Sequence, residues 1–415
     1  MNCIRIPGRP ATLDLGSLHA ELQSRVPGLH EPDWPRGVAA STPVWVEPRD
    51  VAAMAAVAAA VERVTDLPGW RQRVAAYHPN VLDGDGSTPC GVFTGFDFHL
   101  TPEGPRLIEI NTNAGGILLA LAIVRAHRAC CQAGAAWMRA PYDTEGLEAA
   151  IIAMFAAEHR RRVGDLPLRR IAIVDDEPAG QFLFPEFALF RALFESAGLA
   201  ASVCDPRDLV IKGERLVGPD GPVDLVYNRL VDFRLDEPAH TALARAWHEG
   251  LATVTPHPGA WARYADKRHL IALSDAAILA GLGADASDVA VLLEHVPQTV
   301  AVTADSAESL WRERRQWFFK PASGYGSRAV YRGDKVTRGR FAEVVAGDYV
   351  AQRLTPAHEI EAEGPDGACR LRADLRNWTW QGQVQWLAAR LWHGQAANMR
   401  TPGGGFAPVF LPGPT

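Results

Sequence analysis

Two short runs, GFDFHL (95–100) and RLIEIN (106–111), alternate apolar and polar residues on either side of TPEGP. Alternation at period two marks half-buried strands, and the Pro- and Gly-containing break between them marks a turn. A hairpin is the expected result. With its turn centred on Glu103, Phe96 faces Ile110 and Phe98 faces Ile108 on one apolar side. The same register sets Asp97 opposite Glu109, and Asn111 opposite the small Gly95. Like charges directly opposite each other destabilise a sheet. A cation held by the two carboxylates offsets that repulsion, so the hairpin reads as a candidate metal site.

The 415 residues are enough for two or three domains. RDVAAMAAVAAAVERVTDL (49–67) predicts a helix before the hairpin, and an apolar helical run follows from Ile117. A further helix over roughly 143–163 closes a first part, 1–165. RRIAIVDD, FPEFALFRALFESAGL, ASVCD and GPVDLVYNRLVDF then read strand, helix, strand, strand. That order predicts a small parallel α/β layer over 166–250, with Asn228 and Arg229 at a strand's carboxyl end as substrate contacts. Its first turn lacks G-x-G-x-x-G, so no dinucleotide fingerprint is present. The remaining part, 251–415, begins with a helix near Asp266 and ends rich in strands. The expected class is α/β, partly α+β.

A net charge of −6 argues against nucleic acid as a partner, and no apolar run reaches membrane-spanning length. Six cysteines without C-x-x-C pairing point to a reducing, cytoplasmic setting. Positive charge is unevenly made: four lysines, Lys212, Lys267, Lys320 and Lys335, stand against 38 arginines. Where arginine serves the ordinary surface, a retained lysine marks a place that needs a compact point charge. Lys320 ends a strand in WFFKPASGYGSRAVY, followed by Ser323, Gly324, Gly326 and Ser327. Glycines there let backbone N–H groups turn toward an anion. The order differs from a Walker A loop, in which lysine follows the glycines.

RLRADLRNWTWQGQVQWLAARLW (370–392) predicts a second hairpin, turning at Gln381–Gly382. Asp374 then lies opposite Arg390, Arg376 shares their face, and Trp378 meets Trp386. Two arginines converging near a Gly-rich loop suit the charge that develops in phosphoryl transfer.

The order of Lys267 at a helix start, Lys320 before a Gly loop, VAQRL, DLR, AAR, Asn398 and GGG (403–405) resembles the ATP-grasp ligases. The D…E-x-N metal motif comes first here, so the chain looks like a circularly permuted ATP-grasp protein, similar to the glutathionylspermidine synthase-like group. It departs from that group at Gly95, where an arginine is usual. The resemblance implies ATP and Mg²⁺ as cofactors, with Asp97, Glu109 and Asn111 as metal ligands. It implies phosphate contacts from Lys267, Lys320 and the 323–327 loop, base contacts along Gln352, Arg353 and Leu354, and a ribose contact from Glu359. Arg376, Arg390 and Asn398, with Gly403–Gly405 in support, become the catalytic groups. The expected reaction joins a small-molecule or peptide carboxylate to an amine through an acyl phosphate. A small-molecule kinase on the same scaffold is the alternative, and a non-catalytic nucleotide-binding protein a further one.

Overall fold

The structure is a computed structural model that describes residues 13, 15–29, 37–79, 81, 90–130, 138–324, 329–364, 367–394 and 399–412. Asn398, Gly326 and Ser327 lie outside the described residues. Strand β1 (Val44–Trp45) precedes the helix Pro48–Asp66, and β2 (Thr94–Thr101) and β3 (Gly104–Asn111) form the first hairpin. The middle of the chain holds β4 (Arg170–Val174), β5 (Ala200–Cys204), a meander of β6 (Val210–Lys212), β7 (Arg215–Gly218) and β8 (Gly221–Pro222), then β9 (Leu225–Asn228) and β10 (Thr253–Thr255). Strands β11 (Thr299–Ala301), β12 (Trp317–Pro321), β13 (Tyr331–Arg332) and β14 (Tyr349–Arg353) come next. The last are β15 (His358–Gly364), β16 (Gly367–Trp380), β17 (Gln383–Trp392) and β18 (Gly405–Phe410).

Both ends of the chain build one sheet. Its order is β1-β18-β17-β16-β2-β3, with β15 also paired to β16. Strand β16 pairs first with β15 and then, from Leu375 onward, with β2. On one face Phe96, Phe98, Leu107, Leu375 and Leu391 pack against the Ala-rich helix Pro48–Asp66 through Met54, Val57 and Val61. Period two then turns Asp97, Asp374, Arg376 and Arg390 to the opposite face.

Strands β10-β9-β4-β5 form an all-parallel sheet. Strand β4 reads RIAIV without alternation because both of its faces are covered. Ile171 and Ile173 pack with Phe187, Phe190 and Phe194 of the helix Phe184–Ser196. Ala172 and Val174 pack with Leu243, Ala246 and Trp247 of the helix Thr241–Glu249. Strand order reverses between β4 and β9, leaving a crevice outside their carboxyl ends.

The third sheet, β11-β14-β12-β13, is antiparallel. Trp317, Phe319 and Ala351 face Phe341 and Val344 of the helix Arg338–Ala346. Phe318, Lys320 and Gln352 alternate to the other side.

Four expectations need correction. Asp97 does pair with Glu109, but a bulge follows, so Phe98 pairs with Leu107 and Ile108 has no cross-strand partner. The helix expected over 143–163 starts at Leu147. The helix expected to start near Asp266 begins three residues later, at His269–Leu273. The β6–β8 meander was not expected at all, although its turns KGE and PDG carry ordinary turn residues. Among the described residues, no helix is long and apolar enough to cross a membrane.

Candidate active site

A cleft of about 180 Å³ opens between the polar face of the large sheet and the Lys320 face of the third sheet. Asp97, Glu109, Lys267, Lys320, Gly324, Gln352, Arg353, Leu354, Glu359, Asp374 and Arg390 all line it. Residues from distant parts of the sequence thus meet, as their types and order predict. Lys267 and Lys320 are each only 5% exposed, whereas Lys212 and Lys335 lie on the surface. The two lysines buried at this cleft are the two that context singled out.

The bulge has a chemical use. An extra residue in one strand leaves its backbone groups unpaired. The freed Ile108 carbonyl accepts a hydrogen bond from Lys320 Nζ at 2.8 Å, and Gln352 Oε1 accepts another at 2.7 Å. Burial nonetheless pushes the Lys320 ammonium down to about 8, against the pull of Glu109. Lys267 Nζ lies 3.0 Å from Glu109 Oε1 and donates to the Gly324 carbonyl at 2.6 Å, tying the Gly loop to the hairpin. Its backbone N–H donates to the Ala322 carbonyl. Asp266, beside it, is buried and holds His78 at 2.8 Å together with Arg268.

Side chains meet the charge of both facing carboxylates. Asp97 Oδ1 accepts from Arg376 Nε at 2.6 Å. Its Oδ2 accepts from Arg376 Nη2 at 2.6 Å, Arg390 Nη2 at 2.8 Å and Asn111 Nδ2 at 3.1 Å. Arg390 also forks onto Asp374 at 2.8 and 2.7 Å. Burial alone would raise the Asp97 carboxyl, but the two guanidiniums outweigh it and hold it at about 2. Glu109 is likewise held below its ordinary value, burial being overcome by Lys267 and Lys320. As a magnesium ligand Asp97 fits poorly, since its charge is already matched by two arginines. Glu109 and Asn111 fit better: both are only half-buried, and the Asn111 carbonyl oxygen is left over by the bond its amide makes to Asp97.

Gly95, where the resemblance expects arginine, has a steric reason. A Cβ there would lie 2.6 Å from the Ala114 Cβ and 3.5 Å from Arg376 Nε. Gly95→Ala is therefore expected to displace the loop after β3 and cost about 1–3 kcal/mol, read as a lower melting temperature. An unchanged melt means the loop yields freely.

At the crevice beyond β4 and β9, Arg229 is buried, and its Nη1 donates to Tyr227 Oη at 3.1 Å. Glu186 lies 3.8 Å from its Nη2, and its Nε has no partner among the described residues. Asp175 directly follows the neighbouring strand, and burial pushes its carboxyl up to about 7 despite Arg229. Sequence reasoning missed Asp175, although the DD after an apolar strand was the available signal. Asn228, by contrast, is taken up by the chain: its amide donates to the Pro256 carbonyl and accepts from Leu230 N–H.

His99 was also missed. It lines the cleft, its Nδ1 lies 2.7 Å from the Thr355 carbonyl, and burial lowers its basicity. Ser323 is exposed, and Glu359 pairs loosely with Arg372 at 3.7 Å. Gly403–Gly405 does not approach the cleft through its last residue. Gly405 has φ +125°, and a Cβ there would meet the Gly37 carbonyl oxygen at 2.6 Å. That glycine serves close packing of β18 instead.

No family model matches the sequence, and no curated protein matches it. Among solved structures, the chain is similar to a glutathione synthetase-like effector from Globodera pallida in its apo form. Identity is 12%, 96% of this chain and 95% of that one are covered, and the TM-score is 0.60. A putative gamma-glutamylcysteine synthetase from Methylobacillus flagellatus matches at 12% identity over 82% and 83% of the chains, with a TM-score of 0.45. The ATP-grasp ligase PsnB, solved with minimal precursor, Mg and ADP, matches at 14% identity over 58% and 88%, with a TM-score of 0.29. This chain and the Globodera pallida effector, matched over nearly their whole lengths, share one α/β fold.

Proposed function

We propose that the protein is an ATP- and Mg²⁺-dependent carboxylate–amine ligase. One observation carries this reading: two buried lysines line one cleft with Glu109, Asp97 and Arg390, and Arg376 and Asn111 reach that cleft's edge through their bonds to Asp97. Lys267 and Lys320 bind the nucleotide phosphates, with Ser323 and Gly324 beside them, and Gly326 and Ser327 belong to the same reading. The base lies along Gln352, Arg353 and Leu354, and Glu359 meets the ribose. When bound, Mg²⁺ would neutralise phosphate charge, with oxygen from Glu109 and Asn111. Asp97 holds Arg376 and Arg390 in place, so that both guanidiniums meet the charge on the phosphoryl group as it transfers. Asn398 belongs to the same reading.

The substrate carboxylate attacks the γ-phosphorus, ADP departs, and an acyl phosphate forms. An amine nitrogen then attacks the acyl carbon, releasing phosphate and losing a proton as the amide forms. Segment 166–250 acts as the substrate side, with Arg229 rather than Asn228 as its anionic anchor, and segments 1–165 and 251–415 form the permuted nucleotide-binding part. The partners are a small-molecule or peptide carboxylate and an amine, in the cytoplasm.

Screening amino acids and polyamines for ADP release, with hydroxylamine present, tests this. A hydroxamate is expected, because hydroxylamine traps acyl phosphates. ADP release with a phosphorylated alcohol and no hydroxamate would make the protein a small-molecule kinase.

A further inference from the structure

His240 is fully buried, yet both of its ring nitrogens face carboxylates. Nδ1 lies 2.8 Å from Asp232 Oδ2, and Nε2 lies 3.1 Å from Asp176 Oδ1. Asp176 comes just after β4 and Asp232 just after β9, so the imidazole sits at the carboxyl ends of two paired strands. Glu237 reaches the same place through the helical turn Pro238–His240, in which the His240 N–H donates to the Glu237 carbonyl. Such a turn sets residues three apart on one side. One oxygen each from Asp176 and Glu237 and a ring nitrogen of His240 lie within 4.8 Å of one another.

Asp232 fixes the tautomer of that ring. Its Oδ2 also accepts the Glu237 backbone N–H at 2.8 Å, and a carboxylate only accepts, so Nδ1 carries the hydrogen. In the neutral ring Nε2 is then a lone pair facing the Asp176 oxygen. Two acceptors 3.1 Å apart require positive charge between them. A proton on Nε2 is one solution: burial opposes it, but Asp232 and Asp176 outweigh burial and raise the imidazole's pKa above its ordinary value. That proton still leaves Glu237 unmatched. Among the described residues, neither Asp176 nor Glu237 pairs with a lysine or arginine, and Arg207 and Arg234 are held by Asp205 and Asp236. One imidazolium would face three carboxylates. A divalent cation beside a neutral ring leaves one fewer negative charge unmatched.

We propose that Asp176, Glu237 and His240 bind a divalent transition-metal ion of the zinc class, at a site separate from the nucleotide cleft. Imidazole nitrogen with carboxylate oxygen is a donor set that suits zinc. At bond lengths of about 2.1 Å, tetrahedral ligands stand roughly 3.4 Å apart. Nε2 and Oδ1 are already near that spacing, and Glu237, which is exposed, has the freedom to close the rest. Asp232 is a positioning residue: by taking the Nδ1 hydrogen it turns the Nε2 lone pair toward the ion. The ion fastens the end of β4 to the segment after β9, beside Asp175 and Arg229 at the crevice.

Zn²⁺ alone is the probe, titrated by calorimetry into the full chain after chelation and dialysis, with no nucleotide present. One ion per chain is expected to bind and to raise the melting temperature. Glu237→Gln alters an exposed side chain, so the metal-free melt is expected to stay at the wild-type value while Zn²⁺ affinity falls about tenfold or more. Asp232→Asn, which touches no metal, is expected to weaken binding by about tenfold as well. Glu109→Gln, in the nucleotide cleft, should leave this binding unchanged. Absence of stoichiometric Zn²⁺ binding overturns the proposal and leaves a protonated His240 between its carboxylates. Binding that Glu109→Gln removes and Glu237→Gln leaves intact overturns it too, since the ion then sits in the cleft.

Discussion

Asp97→Asn is expected to melt far below the wild type without any ligand, by an amount corresponding to about 3–5 kcal/mol. Asp97 is 3% exposed and holds two guanidiniums that are themselves buried or nearly so. Removing its charge leaves Arg376 without a carboxylate partner and Arg390 with Asp374 alone. The pH dependence has a definite sign. The folded-state carboxyl sits at about 2, below its ordinary 3.8, so its stabilisation is complete above pH 4 and lost as pH falls toward 2. That contribution is about 2 kcal/mol. Glu109→Gln is the informative contrast. Glu109 is half-buried and meets one lysine, so its loss is expected to change stability by no more than about 1 kcal/mol while abolishing Mg²⁺-dependent turnover. Facing carboxylates alone predict that both variants keep the apo stability. Thermal melts separate the cases: if Asp97→Asn melts with the wild type, the anchoring role assigned to it is wrong.

Lys320→Met is expected to lower nucleotide affinity at least a hundredfold, roughly 3 kcal/mol, yet leave the ligand-free protein nearly as stable as before. Burial holds the Lys320 ammonium at about 8, below its ordinary 10.5. Below pH 8 that buried charge costs about 3 kcal/mol, and the cost fades as pH rises from 8 to 10.5. Losing it offsets the loss of the bonds to Ile108 and Gln352. The same depression makes wild-type affinity for a triphosphate fall above pH about 8, where the ammonium loses its proton. Lys212→Ala and Lys335→Ala, both on the surface, should stay within about 0.5 kcal/mol of the wild type and bind nucleotide normally. Titration of affinity and melting temperature across pH 6–10 checks all of these. Equal effects at all three lysines would show that scarcity marks nothing.

Much of this site is legible in the chain because strand period and turn chemistry are local. TPEGP and QG set the two hairpins, and their registers bring Asp97 to Glu109, Asp374 to Arg390, and Trp378 to Trp386. Lysine scarcity led to the cleft because the remaining surface is served by arginine. What stayed hidden is tertiary. The bulge at Ile108 exists to meet Lys320, 212 residues away, and nothing in RLIEIN marks it. The arginines that neutralise Asp97 come from another hairpin, and nothing in GFDFHL marks them. The Pro256 carbonyl that Asn228 binds lies beyond the next helix, so that bond was hidden as well.

The sheet shared by both ends of the chain sets a problem during synthesis. Asp97 leaves the ribosome 279 residues before Arg376 and 293 before Arg390. At roughly 5–20 residues per second, the first hairpin waits about 15–60 s for the strand that covers its open edge. Through that interval β2 offers unpaired backbone and a carboxylate with no counter-charge. The carboxylate keeps that edge hydrated and discourages pairing with a neighbouring nascent chain. The residue that later anchors two arginines thus also acts as a temporary guard for the half-made protein.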